Sequence, residues 1–284
     1  MRNSGHMRQQ RAAATDDFIE VDGARLRVRD EGDGFPVLLV HGWALDLDMW
    51  QLQAAAWAEH LRVIRYDRRG FGESSGSPSL AADARDIESL LNRLNLERVA
   101  VLAMSQGARG AMRAAAGRLA RRVTCLVLDG APFDRSDDVE PEVPLARYRE
   151  LARSRGMDAV RDEWLRHPLG ILRTGDAAAH RLLALMTARY PGNDLAFRPH
   201  EVEGQRGVAE SIAVPTLVLN GAMDTRRRQA MGEELSRILP RAERALVADA
   251  GHLPNLDNPA EYNRLVLSFI ERHAAPRNRG QTDA

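Results

Sequence analysis

The stretch VAVLAMSQGARG, residues 99–110, decides the fold. Its opening apolar run, 99–104, has the pattern of a strand buried on both faces of a parallel sheet. Ser105 follows at once, and Gly110-Ala111-Met112-Arg113-Ala114-Ala115-Ala116 continues as an Ala-rich helix. A sharp strand-to-helix turn lifts a hydroxyl to the sheet edge, provided that small residues let strand and helix approach closely. The first N–H groups of such a helix point toward negative charge developing near Ser105, which suits attack on a carbonyl. A serine in this position also serves as a plain N-cap, and that reading stays open here.

Outward from this stretch, further apolar runs occupy 36–40, 62–66, 123–128, 214–220 and 243–248. Two alternating segments, 18–21 and 24–30, flank the turn pair Asp22-Gly23 and predict a hairpin. Helical spacing lies between the runs: Ile87, Leu90, Leu91 and Leu94 form one stripe, and Met231, Leu235 and Ile238 another. The last helix has Asn258 as N-cap, Pro259 at N1 and Glu261 at N3, with Tyr262, Leu265, Val266, Phe269 and Ile270 on one face. Alternation of this kind predicts an α/β fold, a predominantly parallel eight-stranded sheet flanked by helices.

The region between the runs at 123–128 and 214–220 carries helical patterns at 145–153, 158–166 and 177–190, punctuated by Pro168, Gly170, Pro191, Gly192 and Pro199. A structureless loop of that size does not suit a compact domain, so 134–208 reads as a helical lid. The resulting partition is a flexible N-terminus at 1–17, core at 18–133, the lid, core again at 209–273 and a flexible tail at 274–284. Gly5-His6-Met7 resembles a remnant of an expression tag, so His6 is discounted.

The 284 residues include 40 basic and 40 acidic side chains, a formal net charge of zero. This balance argues against nucleic acid or an anionic membrane as partner, since both reward an excess of Lys and Arg. Apolar runs such as 123–128 are far below the roughly 20 residues of a spanning helix. The single Cys125 excludes an intramolecular disulfide framework and any cysteine-cluster metal site. With no apolar secretory segment near the start, these features predict a soluble, cytoplasmic protein.

The histidines at 41, 60, 167, 180, 200, 252 and 273 show no short metal-ligand grouping. Gly70 and Gly72 lack Walker spacing, and Gly32-x-Gly34 begins no dinucleotide fingerprint. No metal or cofactor is expected. Arg226-Arg227-Arg228 reads as a solvated helix face.

His41-Gly42-Trp43, the segment 66–75, Ala103-Met104-Ser105-Gln106-Gly107, Asn220-Gly221-Ala222-Met223-Asp224 and Ala250-Gly251-His252-Leu253-Pro254 each follow a predicted strand, in order. Over roughly 18–272 the chain thereby resembles the α/β-hydrolase superfamily. The elbow motif departs from Gly-x-Ser-x-Gly at Ala103, which adds one methyl group to the turn. The resemblance implies a Ser105–Asp224–His252 triad: a nucleophile, its base and the carboxylate that orients the base. It also implies that the backbone N–H groups of Trp43 and Gln106 receive the oxyanion, while Gly42 leaves room and His41 buttresses the loop. Out of that context, Asp224 could cap the helix beginning near Thr225, and His252 could be an exposed loop histidine. Asp249 is a weaker acid candidate, only three residues from His252.

Within the superfamily, residues 43–50 followed by 62–67 look most like the branch of small-molecule esterases and 3-oxoadipate enol-lactonases. That implies a small ester or lactone hydrolysed through an acyl-enzyme. Ser105 in place of aspartate speaks against haloalkane dehalogenases and epoxide hydrolases. A carbon–carbon bond hydrolase of ring-cleavage diketones, a cofactor-free haloperoxidase or perhydrolase, and a noncatalytic ligand sensor or interaction protein remain alternatives, the last because of Ala103. Trp43, Met104, Phe133, Trp164 and Tyr190 are candidate pocket walls. Arg109 stands ready for a substrate carboxylate or for a solvent-facing salt bridge. The lid is either a cover or a self-association surface of a homo-oligomer.

Overall fold

The computed structural model describes residues 16–133, 141–196 and 205–274. The apolar runs become the strands of one sheet. β1 (Asp17–Val21) and β2 (Ala24–Glu31) form the hairpin, followed by β3 (Phe35–Val40), β4 (Leu61–Tyr66), β5 (Val99–Met104), β6 (Val123–Asp129), β7 (Thr216–Gly221) and β8 (Ala242–Val247). Their spatial order is β1-β2-β4-β3-β5-β6-β7-β8. β2 runs antiparallel to β1 and β4, and the other neighbours are parallel, as the alternation of strands and helices predicts.

Helices cover both faces, which explains the absence of polar alternation in the central strands. The chain passes through α1 (Gln51–Trp57), α2 (Leu80–Arg93) and α3 (Gln106–Ala116) in its first half. Leu38, Val40, Val101, Ala103, Leu126, Leu128 and Val218 pack on one side with Ile87, Leu90 and Leu91 of α2 and with Ala108, Ala111 and Ala115 of α3. Val37, Leu39, Leu102, Met104, Val127 and Leu219 pack on the other with Trp50, Trp57, Tyr262 and Phe269. Every residue of β5 is buried, so the strand leading to Ser105 is fixed from both sides.

Between β6 and β7 stand α4 (Leu145–Arg155), α5 (Met157–Trp164) and α6 (Ala177–Arg189), the inserted helical lid. α7 (Gln205–Glu210) straddles the expected boundary at 208 and buries Ala209 in the core beside α3. α8 (Arg226–Ile238), α9 (Pro254–Asp257) and α10 (Pro259–Ala274) complete the chain. Asn258 caps α10 as its sequence predicts, with Oδ1 accepting from the Glu261 N–H at 3.3 Å. The expected flexible ends at 1–15 and 275–284, with His6, and the lid residues 134–140 and 197–204, lie outside the described residues.

The underside of the lid meets the loops after β3 and β4 in a separate apolar cluster. Tyr148, Val160, Trp164, Leu169, Tyr190 and Leu195 close there over Trp43, Ala44 and Phe71. Each large ring buried in this way stabilises the closed form by about 2–3 kcal/mol relative to its exposure. Charge adds a second fastening at the foot of the lid: Arg189 reaches the buried Asp46 at 2.6 Å and Asp48 at 2.8 Å. Among the described residues, no helix is long and apolar enough to cross a membrane.

Candidate active site

Ser105 ends β5 and stands directly before α3 with φ +48° and ψ −124°. A positive φ at a residue with a Cβ costs about 1–3 kcal/mol and persists only where its surroundings over-determine it. Here the Ser105 N–H donates to the Asp129 carbonyl at 2.8 Å, tying the turn to the next strand. Ala103 pairs in register with Val40 and is completely buried, so the elbow forms with a methyl group in that position.

Two glycines bring the neighbouring backbone onto this turn. A Cβ on Gly107 would lie 2.4 Å from the His41 carbonyl oxygen, so α3 packs directly against the loop after β3. A Cβ on Gly42 would lie 2.5 Å from Met104 Sδ and 3.3 Å from Ser105 Cβ. The peptide joining Gly42 to Trp43 and the first turn of α3 therefore converge on the serine. His41 is fully buried and fixes that loop: its Nε2 accepts from the Arg68 N–H at 2.8 Å and its Nδ1–H donates to the Gly42 carbonyl at 2.8 Å. Burial and the Arg68 charge push its pKa down to about 3, so it is neutral and serves as a strut.

The Ser105 hydroxyl donates to His252 Nε2 at 3.1 Å, and His252 Nδ1–H donates to Asp224 Oδ2 at 3.0 Å. The cap alternatives are thereby resolved. Ser105 makes no side-chain cap hydrogen bond to α3. At α8 the cap is Thr225, whose Oγ1 accepts from the Arg228 N–H at 3.2 Å, while Asp224 Oδ1 accepts from the Thr225 N–H at 2.7 Å. His252 is buried and Asp249 is exposed.

Burial opposes ionisation of Asp224, but the charge and hydrogen bond of His252, the Thr225 amide and the Arg228 charge hold its carboxyl below the ordinary range. Asp129, fully buried at the end of β6, goes the opposite way. Burial pushes it well above the carboxylate range despite a hydrogen bond from the Tyr262 hydroxyl, and the Asp224 charge pushes it further. The two carboxyls are thus shifted in opposite directions, Asp224 down by the imidazole it faces and Asp129 up by burial.

A cavity of about 280 Å³ opens above Ser105 and His252. Trp43, Met104, Gln106, Arg109 and Trp164, among the sequence candidates, line it. Phe133 and Tyr190 are not. Phe133 is fully buried in the core on the α3 side, and Tyr190 turns its ring onto Phe71 at 6.0 Å and its hydroxyl onto Asp194 Oδ1 at 2.5 Å. Leu45, Leu80, Val143, Leu169, Met231 and Leu253 supply apolar wall that sequence reasoning missed. Leu253 is adjacent to His252, the one local signal among them.

The arginine run on α8 is not a uniformly solvated face. Arg226 is exposed, but Arg228 is 4% exposed and forms part of the frame. Its Nη1 donates to the Gly130 carbonyl at 2.7 Å and its Nε to Glu142 Oε2 at 2.6 Å, while Glu142 Oε1 accepts from the Thr225 hydroxyl at 2.6 Å. Arg228 lies three residues before Met231 and seven before Leu235, on the inward face of α8; that spacing was the available signal. Among the described residues, no group of three His, Cys, Asp or Glu side chains is placed to hold a metal ion.

Such a relay at the edge of this sheet has the order of groups that a serine nucleophile needs, hydroxyl, imidazole and orienting carboxylate, and the chain spans about half or less of the length of the first curated relatives it matches. Residues 36–259 match the family model of the alpha/beta hydrolase fold, and the chain belongs to that family. It is 25% identical over 256 residues to 3-oxoadipate enol-lactonase 1 of Acinetobacter baylyi, covering 88% of this chain and 94% of that one. With a non-heme chloroperoxidase of Streptomyces lividans, identity is 36% over 142 residues, 46% of this chain and only 50% of that protein. The structure of a thermophilic esterase from Thermogutta terrifontis superimposes with a TM-score of 0.78 at 26% identity, covering 92% of this chain and 100% of that one.

Proposed function

We propose that the protein hydrolyses a small carboxylic ester or lactone through an acyl-enzyme on Ser105. The observation that carries this reading is the hydrogen bond from the Ser105 hydroxyl to a buried imidazole at 3.1 Å, inside an apolar cavity. As Oγ attacks the carbonyl carbon, His252 Nε2 takes its proton, and Asp224 stabilises the imidazolium without itself being protonated. The N–H groups of Trp43 and Gln106 receive the oxyanion, and losing one such donor costs about 3–4 kcal/mol in the barrier. His252 then protonates the leaving alkoxide. Water repeats the sequence to release the acid.

The substrate class is supported by the cavity and by the enol-lactonase and esterase relatives. Arg109 on the wall offers a place for a substrate carboxylate. The chloroperoxidase relative favours a second outcome of the same chemistry, acyl transfer from Ser105 to peroxide. A cytoplasmic setting belongs to this reading and is supported by a lone, buried cysteine.

The test is labelling with a fluorophosphonate, followed by turnover on a panel of aryl esters and enol-lactones, with water or peroxide as acceptor. Wild type is expected to label and to turn over esters, while folded Ser105→Ala does neither. A folded wild-type protein that stays unlabelled, including after lid opening by mild detergent, overturns the reading in favour of a sensor.

A further inference from the structure

The indole of Trp43 is held from the lid. Trp43 is 4% exposed, and its Nε1–H donates to Asp194 Oδ2 at 2.6 Å across 151 residues of chain. The other oxygen of Asp194 accepts from the Tyr190 hydroxyl. Three lid rings enclose the indole: Tyr148 is stacked at 5.7 Å, Trp164 meets it edge-on at 4.6 Å and Tyr190 at 5.2 Å. Ring contacts of this kind tolerate sliding and rotation, whereas a hydrogen bond to a carboxylate fixes a direction. By contrast, the buried indole nitrogens of Trp50 and Trp57, on the sheet side, have no hydrogen-bond partner among the described residues.

The short turn carrying Asp194 is itself pinned. The Asn193 side-chain amide donates to the Gly70 carbonyl at 3.3 Å, and Arg161 holds the Tyr190 carbonyl with Nε at 3.1 Å and Nη2 at 2.8 Å. Asp194 therefore ties its own turn and the end of α6 to one core residue. That residue's own N–H lies in the peptide after Gly42, whose carbonyl accepts from His41 Nδ1–H at 2.8 Å, so one edge of the peptide plane is already held from the core. The Trp43 side chain supplies the second anchor, from the lid.

We propose that Asp194 is a positioning residue for the oxyanion hole: by fixing the Trp43 indole it aims the Trp43 N–H, so that donor alignment depends on lid closure. The inference rests on the reading of Trp43 as an oxyanion donor. It makes no contact between Asp194 and substrate necessary.

The experiment uses the full chain and four variants: Asp194→Ala, Asp194→Asn, Trp43→Phe and the double variant Trp43→Phe with Asp194→Ala. Active sites are titrated with fluorophosphonate, and kcat and KM are measured on p-nitrophenyl acetate. Inhibition by an aryl trifluoromethyl ketone is measured too, since its hemiketal oxyanion occupies the hole. Asp194→Ala is expected to lower kcat per titrated site about 10- to 100-fold, the scale of a modest misalignment. KM stays within about twofold and ketone affinity falls in parallel with kcat, a split that loss of general packing would not give. Asp194→Asn keeps an acceptor oxygen for the indole and recovers most of the loss. Trp43→Phe keeps the ring without the donor and loses as much, and the double variant loses no more than either single one.

If Asp194→Ala does not fold, Trp43→Phe carries the test alone. A Trp43→Phe or Asp194→Ala enzyme with unchanged kcat and ketone affinity overturns the inference, as do losses that multiply in the double variant. Those outcomes leave ester hydrolysis by wild type intact. Absence of wild-type labelling and turnover instead removes the underlying reading.

Discussion

The nucleophile turn and the foot of the lid are neighbours held by different forces. At the turn, position comes from the backbone: a peptide hydrogen bond from Ser105 to Asp129, and glycines that let α3 and the His41 loop touch. At the lid foot it comes from side chains, with Arg189 on Asp46 and Asp48 and with rings stacked around Trp43. Backbone contacts are short-ranged and unforgiving, because a misplaced atom of a few tenths of an ångström has no rotamer in which to escape. Ion pairs at a partly exposed rim are graded and sensitive to salt. The turn should therefore fail abruptly and the lid foot by degrees.

The largest expected effect sharpens the first half of this contrast. Asp224→Asn removes the charge facing His252 Nδ1 and favours the wrong imidazole tautomer, lowering kcat about 10⁴-fold. The melting temperature should change by only a few degrees; activity within tenfold of wild type would break the contrast. Next comes Gly107→Ala, whose Cβ meets backbone and not a mobile side chain. It should cost about 1–3 kcal/mol in urea unfolding and depress turnover further by pushing the His41 loop outward.

A pH series separates the two regions more finely. His41 is held at about 3 in the fold against an unfolded value near 6.5. Above that unfolded value both states are neutral and the contribution to stability is complete. As pH falls from 6.5 toward 3, the unfolded chain binds a proton that the native strut refuses, so stability is lost. The advantage of wild type over His41→Gln should shrink by about 2 kcal/mol between pH 7 and pH 5, read from urea midpoints. Asp67 has the opposite sign: burial and the nearby Asp46 raise it to about 6, so its native protonation adds stability below that pH. It is common to both chains and cancels in the difference.

The smallest effect belongs to the lid foot. Arg189 is 39% exposed on its side chain, so Arg189→Ala should cost only about 1 kcal/mol, part of it from leaving Asp46 unpaired. Half-molar salt should narrow the gap from wild type in a thermal melt. A loss as large as that of Gly107→Ala, independent of salt, would mean that the lid is fastened as rigidly as the turn.

The same division governs what could be read from sequence. Ser105 and Asp224 follow the buried strands β5 and β7, and His252 follows the half-buried edge strand β8, all within five residues, so the runs that predict the sheet also bring them to one edge. The hairpin at Asp22-Gly23 and the Asn258 cap are equally local. The cavity wall is not. Whether Phe133 faces substrate or core depends on the packing of α3, and Tyr190 is turned away by an acid four residues on. Glu142 and Arg228 meet across 86 residues, and Asp194 reaches Trp43 across 151. No periodicity encodes such pairs; they exist only once the lid has folded back over the sheet.

The backbone origin of the Ser105 turn also bears on how such a protein changes over generations. A lineage can rewrite the rim of the cavity, residue by residue, while the strand, the turn and the helix that aim the hydroxyl are inherited untouched. New selectivity then arises without reinventing the reaction, and Trp43, where roof and floor share one side chain, is the place where that independence ends.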